Sequence, residues 1–251
     1  HADEAYQQAR QHWAPDGRFH TAFAVHIVIG EGGVALIDAG IGPGPVAYFG
    51  GLHGRLDAEL AAAGIAPADV TAVLLTHLHL DHVGWASRDE TPCFPNASYA
   101  APAAELDHWR RNGAQAALPH HFTAFEAHVA PLVAAGRLMG LEEGATAPGA
   151  KWLRFRSAPG HTPGHAAVVS ERAGLIVAGD AWHSPAQIER PDWCHRADRD
   201  PASAIASRKA LAHLAAEARA LVAVGHFPEE AGFGSVAGSE SDGFRWVPLD
   251  P

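Results

Sequence analysis

The chain of 251 residues is 47% hydrophobic and carries 28 acidic against 18 basic side chains, a formal net charge of −10. That suffices for one domain with a sizeable buried core. The acidic balance, without any long basic run, excludes a nucleic-acid partner, whose phosphates require clustered Lys and Arg. No apolar stretch reaches the roughly 18–20 residues of a membrane-spanning helix, so no membrane partner is expected.

Residues 23–29 and 34–38 read as paired strands around a glycine turn at 30–33, and Leu56, Leu60 and Ala63 mark a short amphipathic helix that Gly64 stops. An apolar strand at 72–75 follows and runs directly into His77, His79, Asp81 and His82. Between 86 and 150 the pattern turns irregular, with helices expected at 103–111 and 123–135, and this stretch reads as a cap over a cleft. Strands near 152, 166, 174 and 221 then surround a helix in which Leu211, Leu214, Ala218 and Leu221 recur at spacings of three and four. Asp200 and Pro201 start that helix as N-cap and first-turn proline. The abundant alanine reads as helix-forming. One domain over 1–251 is expected, a sandwich flanked by helices, with the cap at about 86–150.

The cluster at 77–82 is a metal site by its chemistry. In an extended segment side chains alternate, so His77 and His79 can face one ion together, whereas the adjacent Asp81 and His82 diverge unless the chain turns. The spacing therefore suggests two ions side by side, with a turn at Leu80 and Asp81 sending the second pair to the second ion. Imidazole and carboxylate without thiolate point to Zn²⁺ first, with Mn²⁺, Fe²⁺ and Co²⁺ as alternatives. Three more strand ends supply donors: His161 in a Gly/Pro-rich turn, Asp180 after the run 175–179, and His226 after 221–225. Taken singly, His226 reads as a core histidine, and a helix or turn cap is the lesser alternative for Asp180; four strand ends that each carry a metal-competent side chain favour the site.

These marks, His77-x-His79-x-Asp81-His82, His161 within Gly-His-Thr-Pro-Gly-His, Asp180 and His226, resemble the metallo-β-lactamase superfamily over about residues 25–230. The resemblance implies an α/β fold, the αβ/βα four-layer sandwich with two central mixed sheets flanked by helices. It assigns His77, His79 and His161 to one ion and Asp81, His82 and His226 to the other, with Asp180 bridging. Asp38 matches the superfamily's early Asp, which orients a ligand histidine through its other ring nitrogen; alternatively it caps the turn at 39–42. The segments Gly179-Asp180-Ala181-Trp182-His183, Gln187, Gly225-His226-Phe227-Pro228 and Gly243-Phe244-Arg245-Trp246-Val247-Pro248 are similar to the methyl parathion hydrolase-like branch. Quorum-quenching lactonases of the superfamily tend to carry Tyr where this chain has His183, which leaves His183 as a substrate-facing donor, a support for a ligand, or a structural group.

The activity implied is dinuclear metal-dependent hydrolysis of a small neutral ester or lactone, with phosphotriesters as a related activity, and a metal-bridging hydroxide as nucleophile. Asp81, Asp180 and His183 are the expected catalytic residues. A glyoxalase II-type thioesterase and an iron-dependent oxidoreductase are the alternatives. Trp85, Phe94, Trp109, Phe122, Trp182 and Phe227 are candidates for an apolar substrate pocket, though large aromatics more often fill cores. His120, His121, Arg110 and Arg111 read as solvated surface. A small-molecule substrate and a homodimer are the expected partners. Cys93 and Cys194 build no disulfide framework, and reduced thiols fit a cytoplasmic location; export stays open because the sequence opens at His1 rather than Met.

Overall fold

Two sheets pack face to face in the computed structural model, which describes residues 17–18, 20–116 and 118–249, with side chains described for all of these except 112–116. Residues 1–16, 250 and 251 of the expected 1–251 domain lie outside the described residues. In chain order the strands are β1 (His26–Gly30), β2 (Gly33–Ile37), β3 (Val70–Leu74), β4 (Ser87–Arg88), β5 (Thr91–Pro92), β6 (Ser98–Pro102), β7 (Leu138–Leu141), β8 (Thr146–Ala147), β9 (Ala150–Ser157), β10 (Ala166–Ser170), β11 (Leu175–Val177), β12 (Leu221–Ala223), β13 (Phe233–Ser239) and β14 (Gly243–Pro248). The α-helices are α1 (Leu56–Ala62), α2 (Leu80–Val83), α3 (Ala103–Ala116), α4 (Pro119–His128), α5 (Ala130–Ala134), α6 (Ala186–Glu189) and α7 (Pro201–Ala218). The first sheet has the order β1-β2-β3-β6-β7 and the second β14-β13-β12-β11-β10-β9-β8, while β4 and β5 form a separate small hairpin. Both sheets are mixed: β2, β3, β6 and β7 run parallel, as do β11 and β12, and the remaining pairings are antiparallel.

Period-two alternation explains the layering. On β2, Ala35 and Ile37 face the other sheet while Leu36 faces the helices; on β10, Ala166 and Val168 face inward while Ala167 and Val169 face α7. Seven of the thirteen buried residues between the sheets are alanine, at 35, 72, 100, 147, 150, 166 and 223. The alanine richness thus serves the seam between the sheets as well as the helices, because short side chains let two twisted sheets approach without voids.

Two helical expectations need correction. The helix expected over 123–135 is two helices, α4 and α5, broken at Val129 (φ −110°). Pro131 has no N–H to offer the preceding turn, so α5 restarts with it in its first turn. Leu221 belongs to β12 rather than to α7, which stops when Arg219 adopts a left-handed backbone (φ 47°). The start of α7 follows the sequence: Asp200 Oδ1 accepts from the N–H groups of Ala202 and Ser203.

The ends of β2, β3, β11 and β12 and the turn between β9 and β10 open toward one edge, and two bonds lock the halves there: Ala166 N–H donates to Thr76 O at 3.1 Å and Ala24 N–H to Gly225 O at 3.0 Å. A third lock comes from α3. The fully buried Glu105 accepts from Leu78 N–H (3.2 Å) and Trp109 Nε1 (2.8 Å) through Oε1, and from Thr162 Oγ1 (2.7 Å) and Gly164 N–H (3.1 Å) through Oε2. One carboxylate thereby holds the 76–82 loop against the 161–165 loop. Gly164 must lack a side chain for this, since a Cβ there would meet the backbone nitrogen of Glu105 at 2.1 Å.

Truncating Glu105 to Ala strands four buried donors at about 1–3 kcal/mol each before relaxation, so Glu105→Ala is expected to lose about 3 kcal/mol or more in urea unfolding. Asp200→Ala is expected to cost about 1 kcal/mol, and comparing the two midpoints checks that the carboxylate, not the cap, dominates.

Candidate metal centre

Asp180 sits at the middle of the open edge, on a short turn of 3-10 helix (Gly179–Ala181) that follows β11. Gly179 has a left-handed backbone (φ 55°), and a Cβ there would come within 2.5 Å of His165 Nε2. The buried His165 ring donates through Nδ1 to Ala158 O (2.8 Å) and accepts the Asp180 N–H at Nε2 (2.9 Å). Burial pushes the His165 pKa down to about 4, which keeps this ring neutral and its tautomer fixed.

Around the Asp180 carboxylate stand five imidazoles. His161 and His226 place Nε2 at 3.1 Å from Oδ2, His183 at 3.3 Å and His77 at 3.7 Å, while His82 Nε2 lies 3.2 Å from Oδ1. His79, the residue before α2, turns Nδ1 to 3.0 Å from His161 Nε2. The turn expected at Leu80 and Asp81 is α2, one short helical turn that brings Asp81 toward His226 and keeps the His82 ring 4.0 Å from that of His77. Asp81 Oδ2 then lies 3.5 Å from His226 Nε2 and 3.7 Å from His82 Nε2. The residues expected from the sequence include two groups, His77/His79/His161 and Asp81/His82/His226, within each of which the donor atoms lie within 4.8 Å of one another, with Asp180 touching both; the same spacing also joins His77/His82/Asp180 and brings His183 together with Asp180 and His226 and with His161 and His195.

The rings of His82, His161 and His226 are each aimed by a partner at the far nitrogen. Asp38 Oδ2 bonds His82 Nδ1 at 2.9 Å, so Asp38 acts on the site and does not merely cap a turn. Asp38 has a positive φ of 65° and is held by Leu74 O at its N–H and by the N–H (2.7 Å) and hydroxyl of Thr76 at its carboxylate. Ala22 O lies 2.8 Å from His226 Nδ1. Asp198 Oδ1 lies 3.2 Å from His161 Nδ1, and its Oδ2 accepts from the buried Arg208 and from His195 N–H. Burial opposes ionisation of Asp198, but the bonds from His161 and Arg208 outweigh it and hold the carboxyl at about 2.

The residues fit cations by two criteria. His77 Nε2, His82 Nε2 and Asp180 Oδ1 are buried and have no hydrogen-bond partner among the described residues, a costly state for three convergent polar atoms. In addition, burial lowers His77 and His79 well below the ordinary imidazole value, whereas His82 and His226 are raised against their burial by Asp180, and His161 rises to about 9 for the same reason. Protons at those rings occupy the place where a cation would satisfy the same carboxylate.

Above this floor lies a cavity of about 860 Å³, walled by Phe23, Tyr48, Phe49, Leu118 and Trp193. None of the six aromatic candidates from the sequence lines it: Phe94, Trp109, Trp182 and Phe227 are buried core, Trp85 packs against the core, and Phe122 is half-buried. His120 and His121 are not solvated surface. His121 is buried, stacks on His79 (3.9 Å, 17°) and accepts Leu80 N–H at Nδ1, and His120 stacks on Tyr48 (3.7 Å, 17°). Arg110 and Arg111 are exposed, as expected. His183 faces the cavity between the rings of His195 (4.0 Å) and His226 (5.1 Å), with its N–H donated to Gln187 Oε1 at 2.6 Å. Burial drives its pKa down to about 3, so the ring is neutral. Glu105, Asp198, Arg208 and His121 escape sequence reasoning because none lies in a ligand spacing. An acidic residue in the first turn of α3, Glu105, is the sole local signal.

Solved structures with the same fold include the hydrolase AbOPH of the beta lactamase superfamily, at 26% identity over 98% of this chain and 87% of the other with a TM-score of 0.81. AidC, a dizinc quorum-quenching lactonase in complex with the product N-hexanoyl-L-homoserine, has 26% identity over 100% and 87% with a TM-score of 0.81. A probable metal-dependent hydrolase from Staphylococcus aureus, at 18% identity over 98% and 88% and a TM-score of 0.75, shares the fold. No curated protein sequence matches. The family model of the metallo-beta-lactamase superfamily matches residues 16–226. With the two donor groups and the four-layer sandwich in place, the chain belongs to the metallo-β-lactamase superfamily.

Proposed function

We propose that this protein is a dinuclear metal-dependent hydrolase, with Zn²⁺ the first choice of ion, that cleaves a small ester or lactone and has phosphotriester cleavage as a related activity. The observation that carries the reading is the convergence of seven donor residues on the floor of a cavity whose wall is aromatic and aliphatic. AidC, similar along the whole chain, supports both the ion pair and an acyl substrate. Within the superfamily we assign the chain to the methyl parathion hydrolase-like branch, on the motifs around Asp180, His226 and Trp246.

His77, His79 and His161 would hold one ion, Asp81, His82 and His226 the other, and Asp180 both. When bound, such ions bring the pKa of water toward about 7 and polarise an acyl or phosphoryl oxygen. The chain does the rest. Asp38, Asp198 and Ala22 O fix the rings so that the donors need no reorganisation. Asp81, partly open to the cavity and close to both His82 and His226, would take the proton released by the attacking water and hand it to the leaving oxygen. His183 presents a neutral imidazole from the cavity wall to the substrate. The wall formed by Phe23, Phe49 and Trp193 excludes water and receives the apolar part of the substrate.

Elemental analysis is expected to find about two zinc-like ions per chain, with turnover of p-nitrophenyl esters, lactones or a phosphotriester abolished by a chelator and restored by Zn²⁺. A single iron per chain, or full metal with no turnover, would overturn the assignment in favour of redox chemistry or binding. For the proton donor, Asp81→Asn at full metal occupancy is expected to lower kcat by about 100-fold; an unchanged kcat would remove Asp81 from that role. His183→Ala is expected to change rate or substrate preference with metal content intact, and an emptied site would instead make His183 a ligand or its support.

A further inference from the structure

A smaller cavity of about 320 Å³ opens beside the catalytic one and shares His79, Leu118, His121, Arg196 and Ala197 with it. Its far wall adds Arg199 and Asp198, the latter with both carboxylate oxygens already engaged by His161, Arg208 and His195. Arg196 and Arg199 are exposed, and neither guanidinium makes a hydrogen bond or ion pair with the described residues. What sets these two apart from other arginines without an ion pair is their place, since both line this cavity, and Arg196 lines the catalytic one as well. Two unpaired guanidiniums on one loop thus line a cavity that shares residues with the one above the metal floor and offer positive charge there.

The loop is held in place for that purpose. Asp198 points inward and ties it to His161 and Arg208, while Arg199 N–H donates to His161 O at 3.2 Å. The backbone that carries both arginines is therefore anchored beside the floor, while their side chains stay free to close on a ligand. A cavity of this volume admits a short acyl arm and a terminal carboxylate and is too small for a nucleotide, and the planar fork of arginine suits a carboxylate.

We propose that Arg196 and Arg199 form a carboxylate-binding subsite, so that the preferred substrate is an ester, thioester or lactone whose acyl part ends in a carboxylate. This rests on the hydrolase reading and replaces the neutral substrate expected from the sequence.

The test compares mono-p-nitrophenyl glutarate with p-nitrophenyl pentanoate on the metal-loaded protein. The ratio of kcat/KM, charged over neutral, is expected to exceed about tenfold, to shrink with rising salt, and to fall by about tenfold or more in Arg196→Ala/Arg199→Ala, with partial rescue in the double Lys variant. A ratio that the substitutions leave unchanged in a protein folded by circular dichroism would overturn the subsite. Should neither ester be hydrolysed, the hydrolase reading fails on its own, and titration with monomethyl glutarate decides the subsite. Binding weakened about tenfold by the double Ala substitution supports it, and equal or absent binding refutes it.

Discussion

One buried carboxylate surrounded by imidazoles organises this molecule. Asp180 is withdrawn from water and has five ring nitrogens within 3.7 Å. An isolated charge in such a place would cost several kcal/mol, so either protons on its neighbours or cations between them must balance it. That requirement explains why the pKa values split, His77 and His79 down through burial and His82, His161 and His226 up through Asp180. It also explains the uncommon backbone: Gly179 and Asp38 both take positive φ where strand ends must turn sharply to aim a carboxylate.

Holding the rings requires a shell as well built as the donors. Asp38 on the first half and Asp198 on the second each orient one histidine, and each is itself clamped, Asp38 by Thr76 and Asp198 by Arg208. Arg208 reaches further, donating Nε to Ala181 O next to Asp180, so that α7 is tied to both His161 and the Asp180 turn. Glu105 performs the corresponding task from α3. The centre is thus suspended from helices on both outer layers, and the sheets supply its position along the edge.

The strands and the donors were readable in the sequence because both obey short-range rules. Short apolar runs mark β2, β3, β10 and β12 as strands buried on both faces, and ligand spacing marks His77 to His82. Asp200 and Pro201 announce α7 in the same local way. What escaped depends on distant pairing. Glu105 becomes meaningful only when α3 lies across two loops, Asp198 only when its loop folds under His161, and Tyr48 and Trp193 only when their segments meet over the metal floor. Leu221 illustrates the limit of periodicity, since a residue can continue a helical spacing after Arg219 has already ended the helix.

The separation between floor and wall has an evolutionary corollary. The donors sit at or just after strand ends and are fixed by the core, whereas the cavity wall is assembled from the connecting segments near residues 21–23 and 193–197, a short 3-10 turn at 47–49 and the first turn of α4 at 118–121. Such segments tolerate replacement far better than strands do. A descendant of this chain could therefore exchange one class of acyl group for another by drift in these four short segments while inheriting its reactive centre unaltered, which is how one scaffold diversifies into many specificities.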